Sequence, residues 1–83
     1  MTLVYFAWVR QKTGIAQEIL ELPPGIATIG DLIEHLKNRG GGYAEVFGDP
    51  QRLRAAVNQT HVAFDATIAE NDEVAFFPPV TGG

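Results

Sequence analysis

The chain's 83 residues, 46% of them hydrophobic, make one small domain, too apolar for a disordered chain and too short for a catalytic domain beside a regulatory one. The absence of cysteine excludes disulfides, thiolate zinc sites and a cysteine nucleophile, and two histidines, His35 and His61, are too few for a histidine-based metal centre. A net charge of −4 without a basic run argues against nucleic-acid binding, because neutralising phosphate supplies most of that affinity.

Residues Leu3 to Arg10 read as a strand, rich in aromatic and β-branched types and free of breakers. Alternation puts Leu3, Tyr5, Ala7 and Val9 on one face and Val4, Phe6, Trp8 and Arg10 on the other. Both faces are largely apolar, so the strand is expected to be covered twice, by the core and by a partner. Gln11 to Gly14 reads as a turn, and Ile15 to Leu22 as a second strand hairpin-paired with the first. Pro23-Pro24-Gly25 ends it, since proline removes ladder donors.

A helix follows. Thr28 is its N-cap, and Asp31 three residues on resembles a capping box. Ile29, Leu32, Ile33 and Leu36 form one apolar stripe, with His35 on its solvated flank. Gly40-Gly41-Gly42 stops the helix, and Tyr43 to Phe47 is expected as a short helical turn that plugs the core with Val46 and Phe47. Leu53 to Asn58 is a third strand, and Val62 to Phe64 a short one. Asn71-Asp72 makes a turn before the last strand, Glu73 to Phe77. A single amphipathic helix on one face of a mixed sheet makes an α+β fold, and the β-grasp, or ubiquitin-like, arrangement fits this order and length. The domain is expected over residues 1–77, with an extended Gly-Gly tail over 78–83.

The tail Pro78-Pro79-Val80-Thr81-Gly82-Gly83 is the most informative segment. Its prolines stop the last strand, and six extended residues project roughly 20 Å. A glycine tip enters a channel too narrow for any side chain. Its reactive group is the α-carboxylate of Gly83, a poor electrophile until a nucleotide triphosphate converts it to an acyl-adenylate on another protein. A sulfur or amine nucleophile then displaces AMP, and the carrier itself needs no nucleophile.

If the first and last strands are adjacent and parallel, Phe6, Trp8 and Phe77 form one exposed apolar patch on the sheet face away from the helix. The opposite assignment makes that face the core and leaves Leu3, Tyr5 and Val9 outside. The exposed patch is the expected arrangement. His61 reads as a surface or interface residue, and Asp72 and Glu73 as solvating or capping groups rather than an acid/base pair.

Ala55-Ala56-Val57-Asn58-Gln59-Thr60, the opening Phe6-Ala7-Trp8-Val9-Arg10 and above all the ending DEVAFFPPVTGG, Asp72 to Gly83, closely resemble the small-subunit family of molybdopterin synthase. The resemblance spans nearly the whole chain and implies the β-grasp fold and a sulfur-carrier role. It implies that an E1-like enzyme uses ATP to adenylate Gly83 and that sulfur from a donor protein then gives a thiocarboxylate. It further implies that the tail enters the active site of a large subunit, in a heterotetramer of two large and two small subunits. There the thiocarboxylate supplies sulfur to cyclic pyranopterin monophosphate, and two transfers build the dithiolene of molybdopterin.

Carried over by residue, Gly83 is the attachment point and Gly82 gives clearance in the channel. Phe6, Arg10, His61 and Phe77 meet the large subunit, with Trp8 beside them and Pro78, Pro79, Val80 and Thr81 as the lead-in. His61 stands where the family has a more apolar residue, and Trp8 where it often has a polar one. The segment Gly40 to Gln51 lies outside the resemblance. No metal or bound cofactor and no catalysis by the isolated chain are expected, since ATP belongs to the activating partner. No apolar run approaches the ~20 residues that span a bilayer and the first residues lack a signal-peptide pattern, so a cytoplasmic protein is expected. Alternative readings are a sulfur carrier for thiamin or cysteine biosynthesis, generally without the Phe-Phe-Pro-Pro-Val-Thr lead-in, and a ubiquitin-like modifier or interaction module joined to lysines through Gly83.

Overall fold

The computed structural model describes residues 1–79. In chain order its elements are β1 (Thr2–Tyr5), α1 (Ala7–Thr13), β2 (Gln17–Ile19), α2 (Ile29–Lys37), α3 (Gly41–Phe47), a 3-10 turn (Pro50–Arg52), β3 (Arg54–Val57), β4 (Thr60–Val62) and β5 (Glu73–Phe77). The strands form one five-stranded sheet in the order β2-β1-β5-β3-β4. β1 and β5 are parallel, and the other neighbours are antiparallel. This is the mixed sheet of the expected β-grasp fold, with first and last strands side by side.

Alternation decides which face is core. Leu3 and Tyr5 of β1 pair with Val74 and Phe76 of β5, and Ala55 of β3 pairs with Phe76. All five are buried, as are Ile29, Leu32, Ile33 and Leu36, the whole apolar stripe of α2. The Leu3–Tyr5–Val9 side is therefore inside. Phe47 meets Phe76 edge-on, with ring centroids 5.0 Å apart, so α3 plugs the core as expected.

α2 starts as its capping box dictates. The Asp31 amide donates to Thr28 Oγ1 at 3.2 Å, and the Ala27 and Thr28 amides donate to Asp31 Oδ2 at 3.0 and 3.1 Å. Those two amide bonds hold the Asp31 carboxyl below its ordinary pKa. The first helical amides, Ile29 and Gly30, donate to the carbonyls of Ala66 and Phe64. Donors that a helix start leaves orphaned are thus satisfied by a neighbouring loop.

Three expectations need correction. The strand read over Leu3 to Arg10 ends at Tyr5, and the supposed Gln11–Gly14 turn belongs to α1 and its cap. The cause lies in the strand alongside. The Phe6 amide still donates to the Phe76 carbonyl, but two residues beyond Phe76 stands Pro78, which has no N–H to extend the ladder. Ala7, at φ 51°, turns the chain off the sheet, and a helix buries Val9 instead. Gly14 closes α1 in the left-handed region at φ 84°, its amide donating to the Arg10 carbonyl.

The main helix is joined by α1, and the expected short helical turn is a longer α3 that starts at Gly41, because Gly40-Gly41-Gly42 leads into it as well as ending α2. α3 packs on α1 so closely that a Cβ at Gly42 would collide with the Lys12 carbonyl. The edge strands also differ. β2 is only Gln17–Ile19, and β4 is Thr60–Val62 rather than Val62 to Phe64. Asn58 and Gln59 take φ 50° and 70° in the two-residue β3–β4 turn, the conformation that matches strand twist.

Glu18 of β2 is the strand's charged residue on the inner side. It lies opposite Leu3 and so points to the core side. Its carboxylate accepts from Tyr5 Oη at 2.9 Å, Tyr43 Oη at 2.7 Å and the Arg39 guanidinium at 2.7 Å. Partial burial works to raise the Glu18 pKa, but the bonds from Arg39, Tyr43 and Tyr5 outweigh it and hold it below the ordinary 4.5. Burial, then the bond to Glu18, pushes the Tyr5 hydroxyl far above the ordinary phenol value.

Two outcomes follow from this packing. A carboxyl whose pKa is depressed by folding stabilises the native state fully above its unfolded value, near pH 4.5, and loses that contribution as pH falls through the lower folded value. Glu18→Gln should therefore lower stability at pH 7 by about 1–2 kcal/mol in urea unfolding, and the gap to wild type should close in acid. Gly42→Ala should cost about 1–3 kcal/mol in the same assay, since α1 and α3 must separate to admit the methyl group.

Candidate functional site

The sheet face away from the core carries every second residue. Val4 of β1, Ala75 and Phe77 of β5, Arg54 and Ala56 of β3 and His61 of β4 share it by register. Phe6 extends the same alternation one step past Val4 and is 49% exposed. His61 is exposed, and its ring centroid lies 5.0 Å from that of Phe77. Phe6, Phe77 and His61 thus stand on one face, with the small side chains of Ala56 and Ala75 as a shallow floor.

Trp8 does not belong to that face. The turn at Ala7 carries it onto α1, where it lines an open cleft of about 350 Å³ with Gln51, Arg52, Pro78 and Pro79. The Arg52 guanidinium carbon lies 4.2 Å from the centre of the Trp8 ring. Arg10, also on α1, is exposed. The expected patch is therefore two adjoining surfaces, an aromatic sheet face and a cleft at the root of the tail. Pro78 and Pro79 are half-buried in that cleft. The expectations for Val80, Thr81, Gly82 and Gly83 fall outside the described residues.

Charges sort themselves around the same root. Lys12 pairs with Glu45, Lys37 with Glu34 and Arg39 with Glu18. Arg10, Arg52 and Arg54 have no carboxylate within ion-pair distance among the described residues. Arg54 lies opposite Phe77 and donates to the Leu53 carbonyl at 2.7 Å. Asp72, by contrast, is a structural cap, as expected. Its carboxylate accepts from the Ala69 amide at 2.8 Å and from Asn58 Nδ2 at 3.0 Å. His35, expected to be solvated, is half-buried on the flank of α2.

Gln51, Arg52 and Arg54 are the site residues that sequence reasoning missed. They sit in and just after a polar loop with no motif, and only folding brings Gln51 and Arg52 to Trp8 and Arg54 opposite Phe77. The composition offers one retrospective signal, in that six Lys and Arg in an acidic chain make each unpaired cation conspicuous.

The fold agrees with what the chain resembles elsewhere. The model of the ThiS family matches residues 3–83. The chain belongs to that family. Among curated members, the molybdopterin synthase sulfur carrier subunit of Escherichia coli (strain K12) is 41% identical over 81 residues, covering 98% of this chain and 96% of the relative. Among solved structures, a putative molybdopterin converting factor, subunit 1, from Pyrococcus furiosus superposes with a TM-score of 0.75 at 35% identity, covering 95% of each chain. SAMP1 from Haloferax volcanii also gives 0.75, at 30% identity, over 100% of this chain and 98% of that one. For this ThiS-family chain, the β-grasp fold read from the order of elements is the fold of its relatives.

The two aromatic neighbours at the end of β5 should behave oppositely when truncated. Phe76→Ala removes a fully buried ring and should cost about 3–5 kcal/mol in urea unfolding of the isolated protein. Phe77→Ala, on the open face, should cost less than about 1 kcal/mol.

Proposed function

We propose that this protein is the sulfur-carrier subunit of molybdopterin synthase. One observation carries the reading: the 41% identity extends over 98% of the chain to a relative that bears that name. The geometry supports it. β5 runs out of the sheet centre directly into Pro78-Pro79, beside an aromatic face.

In this reading the Gly83 carboxylate attacks the α-phosphate of ATP on an E1-like enzyme, releasing pyrophosphate and forming an acyl-adenylate. A sulfur nucleophile, supplied by a donor protein, displaces AMP and leaves a thiocarboxylate. The tail then enters the large subunit, where the sulfur passes to cyclic pyranopterin monophosphate and the carboxylate is regenerated. Two such deliveries supply the two sulfurs of the dithiolene in a cytoplasmic heterotetramer. The carrier contributes position, because holding the sulfur on a tail inside a closed site raises its effective concentration far above that of free sulfide. Gly82 and Gly83 allow backbone passage through a narrow channel. Phe6, Phe77 and His61 lie on the face that meets the large subunit, with Trp8 and Arg10 beside it on α1.

Incubation with the activating enzyme, ATP and a sulfur donor should change the intact mass by one sulfur-for-oxygen replacement at Gly83. An unchanged mass with an active partner would sink the reading. Deleting Gly83 should abolish sulfur transfer while leaving the melting temperature at the wild-type value, since the packed core runs from Met1 to Phe76. Reconstitution with a pterin precursor against a thiazole precursor separates this role from a thiamin-directed carrier.

A further inference from the structure

We infer that the cleft at the tail root is a docking site for an acidic segment of the large subunit, seated on the guanidinium fork of Arg52. The inference rests on the functional reading above and deepens it. Four observations carry it.

The Arg52 guanidinium carbon lies 4.2 Å from the centre of the Trp8 ring, a cation–π contact that holds the group at the cleft. Among the described residues its N–H groups meet no acceptor and no carboxylate. A guanidinium held in place with its donors unpartnered matches a carboxylate, which it binds through two parallel hydrogen bonds. Arg54, two residues on, is likewise without an acid, so a local positive spot stands on a chain of net charge −4. Such a spot favours an acidic partner by charge complementarity.

The cleft floor is apolar, made by Trp8, Pro78 and Pro79, and suits an acid flanked by an apolar residue. The position decides whose acid it is. Any protein that takes in residues beyond Pro79 must close over Pro78 and Pro79, which line this cleft. Two guanidinium groups on an otherwise acidic surface are too few to hold a nucleic-acid backbone.

The test is the affinity of the full chain for the purified large subunit from the same organism, measured by calorimetry at about 0.1 M and about 1 M salt, where screening differs threefold in range. Arg52→Ala should weaken the complex about tenfold at low salt, and Arg52→Glu more. Arg52→Lys keeps the charge but loses the fork and the stack, and should fall between Arg52→Ala and wild type. The gap between variants and wild type should shrink at high salt, and circular dichroism melts of all three should match wild type. Equal affinity of Arg52→Glu and wild type at low salt would overturn the inference. So would an Arg52 effect confined to self-association in sedimentation, which would assign the cleft to a second copy.

Sulfur transfer from thiocarboxylated wild type and thiocarboxylated Arg52→Glu is measured in parallel. Wild type that neither binds nor transfers overturns the functional reading and the docking site together. Wild type and Arg52→Glu that bind and transfer alike overturn the docking site alone.

Discussion

Parallel pairing of β1 with β5 is the constraint on which the molecule depends. It joins the first and last strands in the middle of the sheet, with Leu3 beside Val74 and Tyr5 beside Phe76. A slip of one residue would turn those four side chains outward and bring Val4, Ala75 and Phe77 into the core, so burial fixes the register. The same pairing sets Phe6 next to the end of β5. It also makes α1 leave the sheet beside the tail. The aromatic face and the cleft beside it are therefore by-products of how the sheet closes.

A second, polar constraint holds the periphery. β2 is an edge strand of three residues, too short to be anchored by its ladder alone. Glu18 ties it to β1 through Tyr5, to α3 through Tyr43 and to the end of α2 through Arg39. An inward-pointing charge costs desolvation unless fully paired, and here three donors meet it. Such a charge also discourages another chain from adding to the exposed edge. On the other flank Gly42 lets α3 approach the backbone of α1, which seats Tyr43 beside Glu18 and Phe47 in the core. The helix layer is thus organised by one carboxylate and one missing side chain.

The packed core and the exposed aromatic groups are placed on different surfaces. The inner face of the sheet, the stripe of α2 and Phe47 supply the buried apolar area. The outer face and the tail-root cleft contribute little to folding, and the groups there are half-exposed rings and unpaired guanidinium groups. Substitutions on those outer groups therefore leave the packed core undisturbed.

Much of this architecture is legible in local pattern. The capping box of Thr28 and Asp31, the stripe Ile29–Leu36 and the last strand Glu73–Phe77 depend on residues within a few positions of one another, as does the proline-then-glycine tail. Helix period, cap chemistry and strand alternation are short-range properties, so the amino-acid order alone carries the β-grasp arrangement and the carrier-like ending. Three features are not local. β1 stops at Tyr5 because its distant neighbour β5 runs into Pro78, and Gly42 is needed because Lys12 lies against it. Arg52 meets Trp8 only because α1 leaves the sheet beside the loop that carries it. Each depends on groups far apart in the chain, and only the closed tertiary fold determines which of them touch.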